Sequence, residues 1–269
     1  MSAGGRYGIG CGRRRRIVVL PLPRRRLGLL SLVLAIHPAA APPPPIAAAP
    51  REDRAGWTAR FAAKQRELRA APPALVFYGD SNIQRMTSSP RQAGGPFGDL
   101  GAVWRHYYGD RAAVNLGYSG DGAGHLLWRI GNGEATGIAP KLAVVMIGTN
   151  DLNRRQPPEA VVAAIGGILD ALRQRLPGTP ILLLGVLPGN GRPALSDAAA
   201  ATNRLLAARY AAAPGIAWLD PAAAVPADRA AEFFGDALHL NAQGFARLAA
   251  AIEPMVAERL GDQARPPLP

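Results

Sequence analysis

Two apolar patterns alternate along the chain from about residue 57 onward. Short runs are apolar at every position: "ALVFY" at 74–78, "LAVVMI" at 142–147 and "ILLLGVL" at 181–187. Longer stretches place apolar residues every three or four positions, as in "WTARFAAKQRELRA", where Trp57, Phe61 and Leu68 share one helical face. A run with no polar alternation is what a strand buried on both faces looks like, and such strands belong to parallel sheets covered by helices. The expected strands are Ala74–Tyr78, Ala112–Asn115, Leu142–Ile147, Ile181–Leu187 and Ile216–Leu219. The expected helices are Trp57–Ala70, Asp99–Tyr108, Ala123–Ile130, Pro157–Leu176, Ala194–Ala212 and Asn241–Leu260. Pro157 and Pro158 suit a first helical turn, and Pro177-Gly178 stops that helix. Strand–helix alternation over about 200 residues predicts a three-layer α/β/α domain with a central, mostly parallel five-stranded sheet. In such sheets ligands bind at the C-terminal ends of the strands.

The ends of the chain read differently. Arg24-Arg25-Arg26, the apolar "LGLLSLVLAI" and the small-residue "HPAAAPPPP" have the order of a signal peptide. Residues 1–41 are therefore expected to be a signal peptide or a disordered basic leader, and the protein periplasmic or secreted. Residues 42–56 read as a Pro/Ala-rich linker, 57–262 as the folded domain and 263–269 as a disordered tail. The formal net charge of +12 suggests nucleic acid at first sight. Eight of the arginines fall in the first 50 residues, which hold no acidic residue, so the remainder carries only about +4. It shows no basic stripe interleaved with aromatics, which argues against a nucleic-acid partner. Membrane contact is expected only through the leader. The single Cys11 excludes a disulfide framework and a cysteine zinc cluster.

Four polar, Gly-containing stretches fall where strands end or helices begin: "GDSN" at 79–82, "NLGYSGDGAG" at 115–124, "IGTNDL" at 147–152 and "GDALHLNAQG" at 235–244. A nucleophilic serine needs a base and donors for the developing oxyanion. Ser81 sits at the end of the first strand. His239 follows Asp236 by three residues, a spacing that lets the carboxylate hold Nδ1 and leave Nε2 as base. The backbone N–H groups of Ser81 and Gly120 and the side-chain amide of Asn150 are the expected oxyanion donors. Ser119 is a rival nucleophile, because "GYSGD" resembles the G-x-S-x-G elbow, but Asp121 stands where the second glycine belongs. "GDGAG" lacks the last glycine of a dinucleotide loop, since His125 is there. His106 and His125 read as structural or surface residues, Trp128 as core, Asp80 as a helix cap and Asp151 as a brace of its own loop.

"GDS" at 79–81, "NLGYSGD" at 115–121, "GTND" at 148–151 and "DALH" at 236–239 together resemble, in order, the four blocks of the SGNH or GDSL-type hydrolases. The stretch from Val114 to Asn150 is most similar to the branch that contains the catalytic subunits of intracellular platelet-activating factor acetylhydrolase. The resemblance covers roughly residues 74 to 255. It implies a flavodoxin-like SGNH hydrolase fold and a serine esterase acting through Ser81, Asp236 and His239. It also implies an oxyanion hole of Ser81, Gly120 and Asn150, with no cofactor and no metal. Asn82 departs from the pattern, which has leucine there. The substrate implied is a short-acyl, acetyl-type ester of a small molecule or glycan. A carbohydrate or peptidoglycan O-acetylesterase or acyltransferase, and a non-catalytic binding protein of the same fold, remain open beside it. Oligomeric state is not readable from the sequence.

Overall fold

A computed structural model describes residues 45–268; the leader expected over 1–41 lies outside the described residues. The elements run α1 (Trp57–Ala70), β1 (Leu75–Gly79), α2 (Ser81–Arg85), α3 (Pro90–Ala93), α4 (Leu100–Tyr108), β2 (Ala113–Gly117), α5 (Ala123–Arg129), β3 (Leu142–Met146), α6 (Thr149–Asn153), α7 (Pro158–Arg175), β4 (Ile181–Leu184), α8 (Pro193–Tyr210), β5 (Ile216–Leu219), α9 (Ala230–Phe233) and α10 (Ala242–Leu260). The five strands form one sheet in the order β2-β1-β3-β4-β5. Every pairing is parallel, so the sheet is wholly rather than mostly parallel.

Successive side chains of a strand point to opposite faces, and here both faces are buried. Val76, Tyr78, Val145 and Leu183 pack with residues of α5, α7 and α8 on one side. Leu75, Phe77, Val144 and Leu182 pack with α4 and α10 on the other. The unbroken apolar runs in the sequence are the direct consequence, because neither face needs a polar residue. The strand order reverses between β1 and β3, with β2 on one side and β4 and β5 on the other. That switch opens a crevice at the C-terminal ends of the strands, where Ser81 lies.

The strand expected to reach Leu187 ends at Leu184. Val186 and Leu187 are still buried, at 1% exposure each, but their backbone leaves the ladder. The Asn203 side chain of α8 takes over there, accepting from the Val186 N–H at 2.8 Å and donating to its carbonyl at 3.0 Å. A side-chain amide replaces the neighbouring strand, and the apolar pattern cannot show that.

Both flanking segments have contacts. In the expected linker, Ile46 packs against the core and Arg51 is 9% exposed. In the expected disordered tail, the Arg265 N–H donates to Glu253 Oε1 at 2.7 Å and its guanidinium pairs with Asp110 at 2.7 Å. His106 Nε2 lies 2.8 Å from the Pro266 carbonyl, and Leu268 packs against the apolar layer under α10. Residues 263–268 are therefore held to the domain, a correction of the tail expected from their Pro-rich composition.

Candidate active site

The turn that ends β1 also starts α2. Asp80 caps it: Oδ1 accepts the Asn82 N–H at 2.9 Å, as expected from the sequence. α2 runs across the ends of β1 and β2 so closely that a Cβ on Gly117 would lie 2.1 Å from the Gln84 nitrogen. Glycine at 117 is what lets the helix lie there, and the helix fixes Ser81 at the sheet's end. Asp80 is 2% exposed. Burial pushes its carboxyl up to about 7, against the Asn82 N–H and with the nearby Asp121 and Asp151 adding to the rise.

His239 reaches the same point from the far end of the chain. It lies in a loop closed by the Phe234–Leu240 bridge and stopped by Asn241, whose Oδ1 accepts from the Gly244 N–H at 2.9 Å to cap α10. Nε2 of His239 lies 2.8 Å from Ser81 Oγ, and Nδ1 lies 2.7 Å from Asp236 Oδ2. The other Asp236 oxygen accepts the N–H groups of Leu238 and His239, each at 2.7 Å. Partial burial works to raise the Asp236 carboxyl, but the His239 ring and these two amides outweigh it and hold it below its ordinary value. An ionised carboxylate so held fixes the imidazole with Nδ1–H toward Asp236 and a lone pair toward the serine.

Asn82, the departure from the family pattern, ties the two loops together. Its Nδ2 donates to the Leu238 carbonyl at 3.1 Å and its Oδ1 accepts the Leu240 N–H at 3.1 Å. The amide thus grips the residues on both sides of His239. Sequence reasoning left this role unassigned. The only signal was the polar residue at a position next to the serine where the pattern has leucine.

Gly120 and Asn150 lie on the other flank. Gly120 has φ +81° and faces Arg51, whose Nη1 would be 2.3 Å from an added Cβ. The N–H groups of Ser81 and Gly120 have no acceptor among the described residues. Asn150 Nδ2 donates to the Asp121 carbonyl at 2.9 Å, which leaves its second N–H. Asp151 holds its own backbone N–H, as expected, and reaches further. Its Oδ2 accepts the Ala123 N–H at 2.8 Å and so joins the loop after β3 to the start of α5.

Behind Gly120 lies an ion network that the sequence did not reveal. Arg129 is fully buried between Asp121, at 2.9 Å, and Glu134. Its guanidinium also donates to the carbonyls of Leu116 (3.2 Å) and Gly79 (3.1 Å). Trp57 Nε1 donates to Asp121 at 2.8 Å, and the Tyr118 hydroxyl donates to Glu134. These bonds link the loops after β1 and β2 to α1 and α5.

The remaining candidates fall away from the chemistry. Ser119 Oγ accepts from Arg54 at 2.9 Å and has no imidazole beside it. His125 Nδ1 accepts the Gly122 N–H at 2.9 Å and caps α5. Trp128 packs against Trp57 and Phe61, with centroids 5.6 and 5.3 Å away. A cleft of about 370 Å³ opens beside Ser81. Gln84 and Ser119 line it with Arg54, Arg60 and Arg85, and no aliphatic or aromatic side chain forms its wall.

Residues 77–247 match the GDSL-like Lipase/Acylhydrolase family, and the chain belongs to it. That places it among carboxylic ester hydrolases. It is 31% identical over 192 residues to platelet-activating factor acetylhydrolase IB subunit alpha2 of Rattus norvegicus, a match covering 70% of this chain and 78% of that one. It is 34% identical over 149 residues to subunit alpha1 of Homo sapiens, covering 55% of this chain but only 58% of that protein. Among solved structures it resembles a Streptococcus pneumonia protein classed with platelet activating factor (TM-score 0.60, 21% identity, 74% of this chain and 92% of that one). An acetyl-xylooligosaccharide esterase variant from Geobacillus Stearmophilus is also similar (TM-score 0.53, 20% identity, 72% and 96%). At these identities the structural matches establish the sandwich fold expected from the sequence.

Proposed function

We propose that the protein is a serine esterase of short, acetyl-type acyl groups. Ser81 is the nucleophile, His239 the base and Asp236 the group that orients it. Ser81 Oγ attacks the acyl carbonyl while its proton passes to His239 Nε2. The imidazolium formed is stabilised by Asp236. The negative charge on the former carbonyl oxygen is met by the N–H groups of Ser81 and Gly120 and by the second N–H of Asn150. Collapse expels the alcohol, which takes the proton from His239 and leaves an acyl-serine. Water then repeats the sequence and releases the acid.

The observation that carries this reading is the chain of contacts Ser81 Oγ–His239 Nε2 at 2.8 Å and His239 Nδ1–Asp236 Oδ2 at 2.7 Å. A binding protein has no need of a serine hydroxyl, an imidazole and a carboxylate in line. The polar cleft supports a short acyl group, because a long acyl chain would leave its apolar surface against guanidinium and amide groups. It also favours a hydrophilic alcohol, which makes a carbohydrate O-acetylester the second reading. Export, read from the pattern at residues 24–41, completes the proposal.

The test is 4-nitrophenyl acetate hydrolysis. Ser81→Ala should abolish turnover and labelling by a fluorophosphonate while leaving the circular dichroism spectrum unchanged. Undiminished turnover in that variant would remove Ser81 from the mechanism. A panel of acetylated sugars set against esters of graded chain length separates glycan from lipid substrates.

A further inference from the structure

We propose that the cleft beside Ser81 selects acetyl esters whose alcohol part carries an anionic group, a carboxylate or a phosphate. The proposal rests on the reading of Ser81 as nucleophile and adds the charge of the substrate to it.

Three guanidinium groups line this cleft, from Arg54, Arg60 and Arg85, and no aspartate or glutamate does. Elsewhere in the described residues arginines near carboxylates pair with them: Arg51 with Asp53, Arg111 with Glu253, Arg129 with Asp121. Around the cleft Arg54 and Arg60 hold neutral groups. Arg54 donates to the Ser119 hydroxyl at 2.9 Å. Arg60 donates through Nε to the Gly117 carbonyl at 3.0 Å and lies over the Tyr118 ring, 5.0 Å from its centroid. Arg85 lies over the Phe97 ring at 4.4 Å.

Arg60 carries the most weight. It is half-buried, and among the described residues it forms no ion pair with a carboxylate. Desolvation holds its guanidinium below the ordinary arginine value, with the Arg129 cation adding to that effect. Its Nε is committed to Gly117, which leaves both terminal nitrogens on a planar fork suited to two oxygens of one anion. Glu134 and Glu67 act on it through space without pairing with it, and a bound anion would add a direct counter-ion. Ser119, whose hydroxyl Arg54 holds, is fixed in turn through its N–H to Gln84 Oε1 at 2.6 Å, so the wall is rigid on the α2 side.

The experiment compares kcat/KM for 3-acetoxybenzoate, 3-acetoxyphenyl phosphate and the neutral 3-acetoxybenzamide, each normalised to its hydrolysis by hydroxide. Wild type should favour at least one anionic ester by about tenfold at low salt. That preference should shrink by about threefold or more between about 20 and about 500 mM NaCl. It should fall by about fivefold in Arg60→Gln and be largely kept in Arg60→Lys, which retains the charge. A preference for the carboxylate indicates an acidic sugar, and one for the phosphate a phosphorylated alcohol; either supports the proposal. Turnover of all three esters within about twofold of one another overturns it. So does a preference that survives unchanged in both Arg54→Gln and Arg60→Gln. Failure of the underlying reading looks different: Ser81→Ala would then hydrolyse anionic and neutral esters alike at the wild-type rate.

Discussion

Asp236 with His239, and Arg129 with Asp121 and Glu134, both set carboxylates against nitrogen donors at the C-terminal end of the sheet. They differ in burial and in saturation. The side chains of Arg129, Asp121 and Glu134 are wholly buried, and each carboxylate oxygen meets a donor. Asp236 is 43% exposed and His239 17%. One nitrogen of His239 is held and the other faces a serine hydroxyl. A charge cluster with every partner fixed has nowhere to send a proton, so it holds loops together. A pair with one position turned toward a reacting group can transfer one. Burial and completeness, more than the identity of the residues, separate the two uses.

Substitutions that remove one side of this comparison should leave the other standing. The largest effect is expected for Asp236→Asn, with kcat for 4-nitrophenyl acetate falling by about 10³–10⁴-fold. Its urea midpoint should stay near wild type, and a kcat within tenfold of wild type would remove Asp236 from the mechanism. Next comes Arg129→Met, which strands two buried carboxylates and should cost about 3–5 kcal/mol in chemical denaturation. Stability unchanged within 1 kcal/mol would mean that the network holds little. Asn150→Ala should lower kcat by about a hundred- to a thousandfold with a smaller change in KM if its free N–H meets the oxyanion. A loss under threefold would demote it to a brace for the Asp121 carbonyl.

Asn82→Leu restores the residue of the family pattern but deletes both bonds to the His239 loop. A loss of about 1–2 kcal/mol is expected, with kcat reduced more than KM. Equal kcat would show that His239 needs no such support. The last effect concerns pH. The Asp80 carboxyl is pushed up to about 7 in the folded protein, against an unfolded value of 3.8. The unfolded chain therefore releases this proton first, so the stability carried by the neutral form is full below about 4. It declines as pH rises to about 7. Asp80→Asn should flatten that part of the stability–pH curve while keeping the cap to the Asn82 N–H. An unchanged slope would mean that Asp80 titrates normally.

The sheet was legible because a parallel strand buried on both faces leaves an unmistakable apolar run, and β5 was expected at Ile216–Leu219, where it forms. The short helix α6 was not, because one turn of helix has no period to read, and α2 was signalled only by Asp80 as its cap. Ser81, Asp236 and His239 were legible from the order of polar stretches, and the structure brings their side chains within hydrogen-bond distance. Arg129 was not, since an arginine inside an amphipathic helix ordinarily faces water; only the return of Trp57 and Glu134 to the same point buries it. Arg54 and Arg60 escaped for a similar reason. They precede the first strand, and nothing local says that the chain doubles back across the mouth of the site. Asn82 shows the same limit over a longer distance, since its partners come 156 and 158 residues later.

That last separation has a consequence for biosynthesis. The side-chain amide that steadies the His239 loop finds its acceptor and donor only after nearly the whole polypeptide has been made. A chain emerging from the ribosome carries its serine early and its imidazole late. Hydrolytic competence should thus appear abruptly, once the segment around His239 is released and docks. Proteolytic clipping before α10 should extinguish it just as abruptly, leaving no partly active fragment.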